Sequence, residues 1–121
     1  MKIEVNGAVL RVQMCHNSSA EAVRELLQKG PLTISMKDYT HMEKFGTFGV
    51  QLPTNDEPIT TQPGDVILSE GNLLVIYYAP NTWDFTRLGK IQDLSAEELK
   101  RVLVGRSGVT ATLSLDETDQ H

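Results

Sequence analysis

The chain has 121 residues, of which 40% are hydrophobic and 22% charged, so it is long and apolar enough to form one globular domain with its own core. Its formal net charge of -5 and the lack of a basic cluster or an apolar run of roughly 20 residues argue against nucleic acid and membrane partners. The single cysteine, Cys15, excludes an internal disulfide, and we therefore expect a reducing, cytoplasmic environment.

The first predicted elements are a β-hairpin and a helix. In KIEVNGAVLRVQM, residues 2–14, apolar residues recur on both sides of Asn6-Gly7, a dipeptide that favours a type I′ hairpin turn. In the next segment, NSSAEAVRELLQKG, Ser18 and Glu21 match a capping box, and apolar residues follow at helical spacing. The sequence therefore predicts that a hairpin leads into an amphipathic helix capped by Ser18.

The middle of the chain combines one clear strand with a long irregular segment. LTISMKDY, residues 32–39, alternates apolar and polar side chains and predicts a half-buried strand. Residues 40–63 are interrupted by glycine and proline, so we predict loops there, with short strands only near residues 48–52. Such long loops in a small domain are usually functional or mobile.

A second hairpin is predicted in GDVILSEGNLLVIYY, where residues 66–68 and 73–78 form strands joined at Gly71-Asn72. The β-branched and aromatic residues of its second arm favour a pleated surface. The segment APNTWDFTR, residues 79–87, is then predicted to be a loop, and RLGKI returns as a short strand.

The C-terminal part contains one helix and one strand. In LSAEELKRVLVG, Ser95 and Glu98 form a second capping box, and GVTATLSL alternates as a strand does. Because hairpins dominate, we predict a mainly β fold, an antiparallel barrel or curled sheet with two short helices over its open ends. The residues expected in its interior are Val66, Leu74, Ile76, Leu88 and Ile91.

The order of these elements resembles that of the bacterial cyclophilin-like domain family over about residues 1 to 115. The most specific shared pieces are Leu52-Pro53, Gly64-Asp65, Gly71-Asn72 and the Leu-Gly-Lys-Ile run of residues 88–91.

The resemblance implies a small closed β-barrel of cyclophilin-like fold, forming a single domain over residues 1–115 and followed by an acidic, disordered tail at residues 116–121. Members of this family mostly lack an established activity. Some relatives sit beside or are fused to flavodoxin-like domains, which makes a flavodoxin-like protein a candidate partner.

Cyclophilin-type prolyl isomerases carry an arginine, then a phenylalanine, then Gln-x-Gly-Asp at set spacing. Residues 62–65, Gln-Pro-Gly-Asp, match the last piece, but Thr54 stands where the arginine is needed and Ile59 where the phenylalanine is needed. We therefore expect little or no isomerase activity, and a prolyl isomerase with an altered active site is an alternative function. Whether the protein is an enzyme at all stays open.

The predicted loop at residues 79–87 is the best candidate for a site, because it holds the chain's only tryptophan, a phenylalanine and an arginine after a buried strand. Two interpretations are open. Trp83 and Phe85 cap one barrel end as core, with Arg87 paired to Asp84 on the surface. Alternatively, the rings wall a cleft in which Arg87 holds a carboxylate or amide.

The leading hypothesis is a protein that binds a small molecule or an extended peptide in a cleft near this segment. A non-catalytic module that docks a flavodoxin-like partner is a further alternative. The candidate binding residues, which end or border strands and loops facing the same irregular region, are Tyr39, Phe48, Tyr78, Trp83, Phe85 and Arg87.

Other candidate chemistry is weaker. Cys15 and His16 are adjacent, so in a strand they would point to opposite faces and make a poor nucleophile pair. Asp38, His41 and Glu43 could donate to a metal, but they lack a second histidine or a recognised spacing. No phosphate-binding glycine-rich loop, serine nucleophile elbow or cysteine pair occurs, and we expect no cofactor and no metal.

Overall fold

The computed structural model describes residues 1–39, 43–103 and 108–116, except for the side chain of Tyr39. Of the predicted tail at residues 116–121, Asp116 is described and residues 117–121 lie outside the described part of the chain. In chain order the described elements are β1 (Lys2–Val5), β2 (Ala8–Met14), α1 (Ser18–Gln28), β3 (Leu32–Tyr39), β4 (Glu43–Thr47), β5 (Glu57–Thr60), β6 (Asp65–Ser69), β7 (Leu73–Tyr77), β8 (Thr82–Gln92), α2 (Ala96–Leu103) and β9 (Gly108–Ser114). Neither helix in the described part of the chain is long and apolar enough to cross a membrane.

Eight of the strands close into an antiparallel barrel, as predicted. They follow one another around the wall in the order β2-β1-β9-β3-β4-β7-β6-β8. The ring closes where β8 pairs with β2, with Ile91 opposite Val12. The remaining strand, β5, pairs only with the first half of β8 and lies outside the ring.

Both predicted hairpins form, and positive φ angles mark their turns. Asn6 and Gly7 have φ of 51° and 78°, the left-handed geometry that a type I′ turn requires. In the second hairpin the positive φ angles belong to Glu70, at 56°, and Gly71, at 78°. The turn therefore begins one residue earlier than the Gly71-Asn72 pair that we predicted.

The helix caps agree with prediction at one helix and differ at the other. Ser95 and Glu98 exchange hydrogen bonds of 3.1 Å at the start of α2, as a capping box should. At α1 the cap is Asn17, whose side-chain oxygen accepts the Ala20 N–H at 2.8 Å. The prediction of Ser18 as cap was wrong, because the preceding asparagine is an equally good acceptor and already has the extended backbone of a cap.

Apolar side chains pack on both sides of the barrel wall. The five residues predicted to be interior, Val66, Leu74, Ile76, Leu88 and Ile91, all belong to the interior core. A second group, here called the outer cluster, consists of Ile59, Ile67, Val75, Tyr77 and Phe85, with Phe45 and Leu73 packed against it. Successive strand residues point to opposite faces, so β7 contributes alternately to both groups.

The segment predicted as a loop at residues 79–87 is mostly strand, and this prediction was wrong. Thr82–Gln92 forms one long strand, β8. Its second half lies in the barrel wall, and Leu88 is an extra residue there, because Arg87 faces Ile67 while Gly89 faces Val66. This β-bulge breaks the alternation that sequence reasoning uses to recognise a strand.

The strands in the irregular segment also lie elsewhere than predicted. β4 ends at Thr47, before the predicted strand near residues 48–52, and those residues are not in a strand. β5, at Glu57–Thr60, was not predicted, because it contains Pro58 and only one buried residue, Ile59.

Candidate functional site

A concavity of about 370 Å³ lies over the outer cluster. It is called the outer concavity below. Its apolar lining consists of Phe45, Leu73, Val75, Tyr77, Trp83 and Phe85. Its polar lining consists of Glu43, Ser69, Glu70 and Asn81.

Strand pairing fixes the floor of the outer concavity. Phe45 lies opposite Val75 and Glu43 lies opposite Tyr77 where β4 pairs with β7, so all four share one face of the sheet. The rings of Tyr77 and Phe85 are 5.5 Å apart with an interplanar angle of 56°, a favourable tilted arrangement. The floor is therefore built from regular strands rather than from loops.

Trp83 and Phe85 lie two residues apart on β8, so both face the outer concavity. Phe85 is 5% exposed and belongs to the floor, whereas Trp83 is 70% exposed and stands at the side. Neither ring belongs to the interior core. The interpretation that the two rings cap a barrel end was therefore wrong, because they project from the outside of the wall.

Arg87 does not line the outer concavity. Its Nη2 is 3.4 Å from Oδ2 of Asp65, a carboxylate that is buried and that also lies 3.3 Å from Nζ of Lys90. The predicted surface pair with Asp84 is replaced by this pair, because the bulge in β8 sets Arg87 opposite the strand that Asp65 begins. Arg87 thus ties β8 to β6.

The other candidate residues are on the inside of the wall or are not described. Phe48 and Tyr78 are buried in the interior core. The hydroxyl of Tyr78 donates to Oδ1 of Asp38 at 3.0 Å, and burial raises the pKa of Tyr78 to about 12. Tyr39 ends β3, but its side chain lies outside the described residues. Of the five candidates whose side chains are described, Trp83 and Phe85 are the ones that line the outer concavity.

Two of the three residues considered as possible metal donors, Asp38 and Glu43, lie on different sides of the barrel wall. Asp38 accepts a hydrogen bond from Tyr78 on the inner side, where the fully buried Lys44 also places its Nζ 3.0 Å from Asp38 Oδ1. Glu43 lines the outer concavity, and His41 lies outside the described residues. Within the part of the chain that is described, no three His, Cys, Asp or Glu side chains are grouped as a metal site.

Glu43, which the sequence suggests only as a weak metal donor, lines the outer concavity. Its side chain is 7% exposed, and burial raises the pKa of its carboxyl group, against a smaller opposing effect of the Tyr77 hydroxyl. Burial also raises the pKa of Tyr77, whose hydroxyl accepts a 3.2 Å hydrogen bond from Asn81. A carboxyl group in such an aromatic setting can accept hydrogen bonds from a cation or an N–H donor.

The apolar floor could have been found from the sequence. The run LLVIY of β7 is apolar at every position rather than at every second one, which is typical of a strand that is covered on both faces. Sequence reasoning used this run only as evidence for a strand.

Cys15 shows no sign of a nucleophile. It is partly exposed, and burial raises the pKa of its thiol, with Arg87 acting in the opposite direction more weakly. An activated cysteine needs a lowered pKa. Its backbone N–H donates to the Leu88 carbonyl at 2.8 Å, so the residue ties the end of β2 to β8.

The sequence matches the family model described as the cyclophilin-like family over residues 3–114. No curated protein matches the sequence. Among solved structures, a hypothetical protein from Archaeoglobus fulgidus, determined in solution, superposes with a TM-score of 0.66. The two share 15% sequence identity, and the match covers 93% of this chain and 91% of that one. At this identity the likeness concerns the fold alone.

Proposed function

The chain belongs to the cyclophilin-like family, and we propose that it binds a small molecule or an extended peptide in the outer concavity. The observation that carries this proposal is Trp83, a large apolar side chain that is 70% exposed beside an apolar hollow. Exposed aromatic surface next to a concave apolar floor with a few polar groups is typical of ligand sites. A bound ligand would cover the apolar floor and the exposed ring of Trp83.

Binding without strong catalysis is the version of this proposal that the side chains support. The Gln-Pro-Gly-Asp segment ends in Asp65, which is occupied by Arg87 and Lys90. Among the described residues that line the outer concavity there is no arginine or lysine to polarise a peptide carbonyl. The alternatives of an altered prolyl isomerase and of a flavodoxin-like partner stay predictions.

A fragment screen by NMR tests the proposal. A library of small aromatic and amide fragments is added to ¹⁵N-labelled protein, and chemical-shift changes are mapped onto the structure. We expect hits to shift the indole N–H of Trp83 and the backbone amides of Val75 and Phe85. Since Trp83 is the only tryptophan, its indole signal is assigned without ambiguity.

Two variants make the screen decisive. Trp83→Ala should weaken the binding of the hits, whereas Val9→Ala should leave it unchanged, because Val9 is also an exposed apolar residue but lies outside the outer concavity. Hits whose shifts map to another surface, or that bind Trp83→Ala as well as the original protein, would contradict the proposal.

A further inference from the structure

Building on the proposed function, we propose that the occupant of the outer concavity is an extended peptide with a basic side chain. It pairs as an added strand with the free edge of β8 at Thr82–Asp84 and places its cationic group beside Glu43. Three observations lead to this inference: the direction of the backbone groups of β8, the position of the hollow beside them, and the charge of its lining.

Among the described residues, the first half of β8 is paired with β5 along one edge and with no strand along the other. β5 occupies one edge, with Ile59 opposite Trp83, and the Thr61 N–H donates to the Asn81 carbonyl at 2.8 Å. In an antiparallel pair the residues alternate in the direction of their backbone groups. The backbone N–H and C=O groups therefore point toward β5 at Asn81, Trp83 and Phe85. At Thr82 and Asp84 they point toward the opposite edge.

Proline in β5 agrees with this assignment. Pro58 lies opposite Asp84 and has no backbone N–H to donate. By this alternation, Pro58 and Asp84 form a pair that exchanges no backbone hydrogen bonds. The missing N–H of proline therefore removes no hydrogen bond between β5 and β8. The backbone groups of Thr82 and Asp84 remain for a partner on the other edge.

The free edge borders the outer concavity. β6 pairs with the second half of β8 and stops at Leu68, opposite Thr86. The next residues, Ser69 and Glu70, turn away toward β7 and line the concavity. A strand placed where β6 would have continued would therefore lie along Thr82–Asp84, which are exposed. Every second side chain of that strand would enter the hollow on the same face as Trp83 and Phe85.

The charge of the lining selects the chemistry of the peptide. Glu43 and Glu70 are the charged groups among the described residues of the concavity, and Asp84 is exposed at the adjoining edge. Of the cations nearest to this face, Arg87 is paired with Asp65, and Lys37, opposite Phe45 on β3, is exposed to solvent and is not part of the lining. Electrostatic complementarity therefore favours a lysine or arginine on the peptide. The chain's own last six residues, 116–121, carry three carboxylates and have the wrong charge for this role.

An array of synthetic nonapeptides tests the inference. All members share β-branched residues at alternate positions, and the central residue is lysine, arginine, leucine or glutamate. We expect the lysine and arginine members to bind with the highest affinity and the glutamate member with the lowest. A preference for glutamate, or equal binding of all four, would overturn the inference.

Two further measurements separate charge recognition from strand pairing. Glu43→Gln should weaken the lysine member about tenfold or more and leave the leucine member nearly unchanged, whereas Glu25→Gln, on the exposed side of α1, should change neither. Methylation of the peptide's backbone nitrogens one at a time should abolish binding at alternate positions only. Uniform tolerance of methylation would exclude an added strand.

The outcomes also distinguish this inference from the proposed function. If fragments bind at Trp83 but no nonapeptide does, the outer concavity is a small-molecule site and the peptide inference fails alone. If peptides bind and Trp83→Ala has no effect on them, the peptide lies elsewhere and the peptide inference fails, whereas the proposed function is still decided by the fragment screen.

Discussion

The two faces of β7 carry similar side chains and meet different surroundings. Leu74 and Ile76 point inward and are completely enclosed by the other strands of the barrel. Val75 and Tyr77 point outward and are also buried, but they form the floor of a hollow whose side wall, Trp83, is open to solvent. Apolar residues on the inside form the enclosed core of the barrel, whereas those on the outside also form the floor of an open hollow, which is where we propose that a ligand binds.

The largest expected effect is on the inner face. Ile76→Ala should lower the free energy of unfolding by about 2–5 kcal/mol, because it leaves a cavity in the enclosed core. Urea unfolding followed by circular dichroism measures the change. A loss below half a kcal/mol would mean that the inner face is not the source of stability.

Arg87 tests the boundary between the two faces. Arg87→Ala should destabilise the protein by about 1–3 kcal/mol, because it removes a partner from the buried carboxylate of Asp65 and leaves Lys90 as the remaining cation. An exposed pair with Asp84, the alternative that the sequence leaves open, would contribute only about 0–1 kcal/mol. Urea unfolding of Arg87→Ala distinguishes the two pairs. Asp84→Ala, which removes an exposed carboxylate, is the control and should change the free energy of unfolding little.

Glu43 allows the outer face to be studied by pH. Its carboxyl pKa is raised by burial, so the folded state holds a proton that the unfolded chain has already lost. Stability should therefore fall as pH rises from the ordinary glutamate pKa of about 4.3 to the raised value. Glu43→Gln should flatten this part of the stability profile, measured by urea midpoints. An unchanged profile in the variant would assign the pH dependence to other groups.

The smallest expected effect is on the wall of the hollow. Trp83→Ala should change the free energy of unfolding by no more than about 0.5 kcal/mol, because the side chain is mostly in solvent. Together with weakened fragment binding, this would separate binding from stability on one strand. A loss comparable to that of Ile76→Ala would mean that Trp83 serves the core after all.

The parts of the fold that sequence reasoning found are those with local signals. Asn6-Gly7 specifies its own turn, the capping box of Ser95 and Glu98 is complete within four residues, and alternation identifies Leu32–Tyr39 as a strand. Each of these features is decided by neighbours in the sequence, so the residues carry the information themselves.

The parts that were missed depend on residues far apart in the chain. β8 could not be recognised as one strand because Leu88 bulges only in response to its pairing with β6. The partner of Arg87 is 22 residues away at Asp65, and it becomes available through that same pairing. The outer concavity forms where β4, β7 and β8 meet on one face of the sheet. The sequence of any one of these strands does not show that they meet.

Pro58 has a consequence for how the protein behaves at high concentration. A closed barrel has no exposed sheet edge along which copies of a protein could pair. β5 lies outside the ring, so its outer strand edge is exposed. The alternation of β5 directs the backbone of Pro58 toward this outer edge, where the ring nitrogen cannot donate, and Glu57 beside it adds a negative charge. We therefore expect the outer edge of β5 to pair poorly with a second copy of the chain, whereas the backbone groups of Thr82 and Asp84 on β8 keep their hydrogen-bonding capacity.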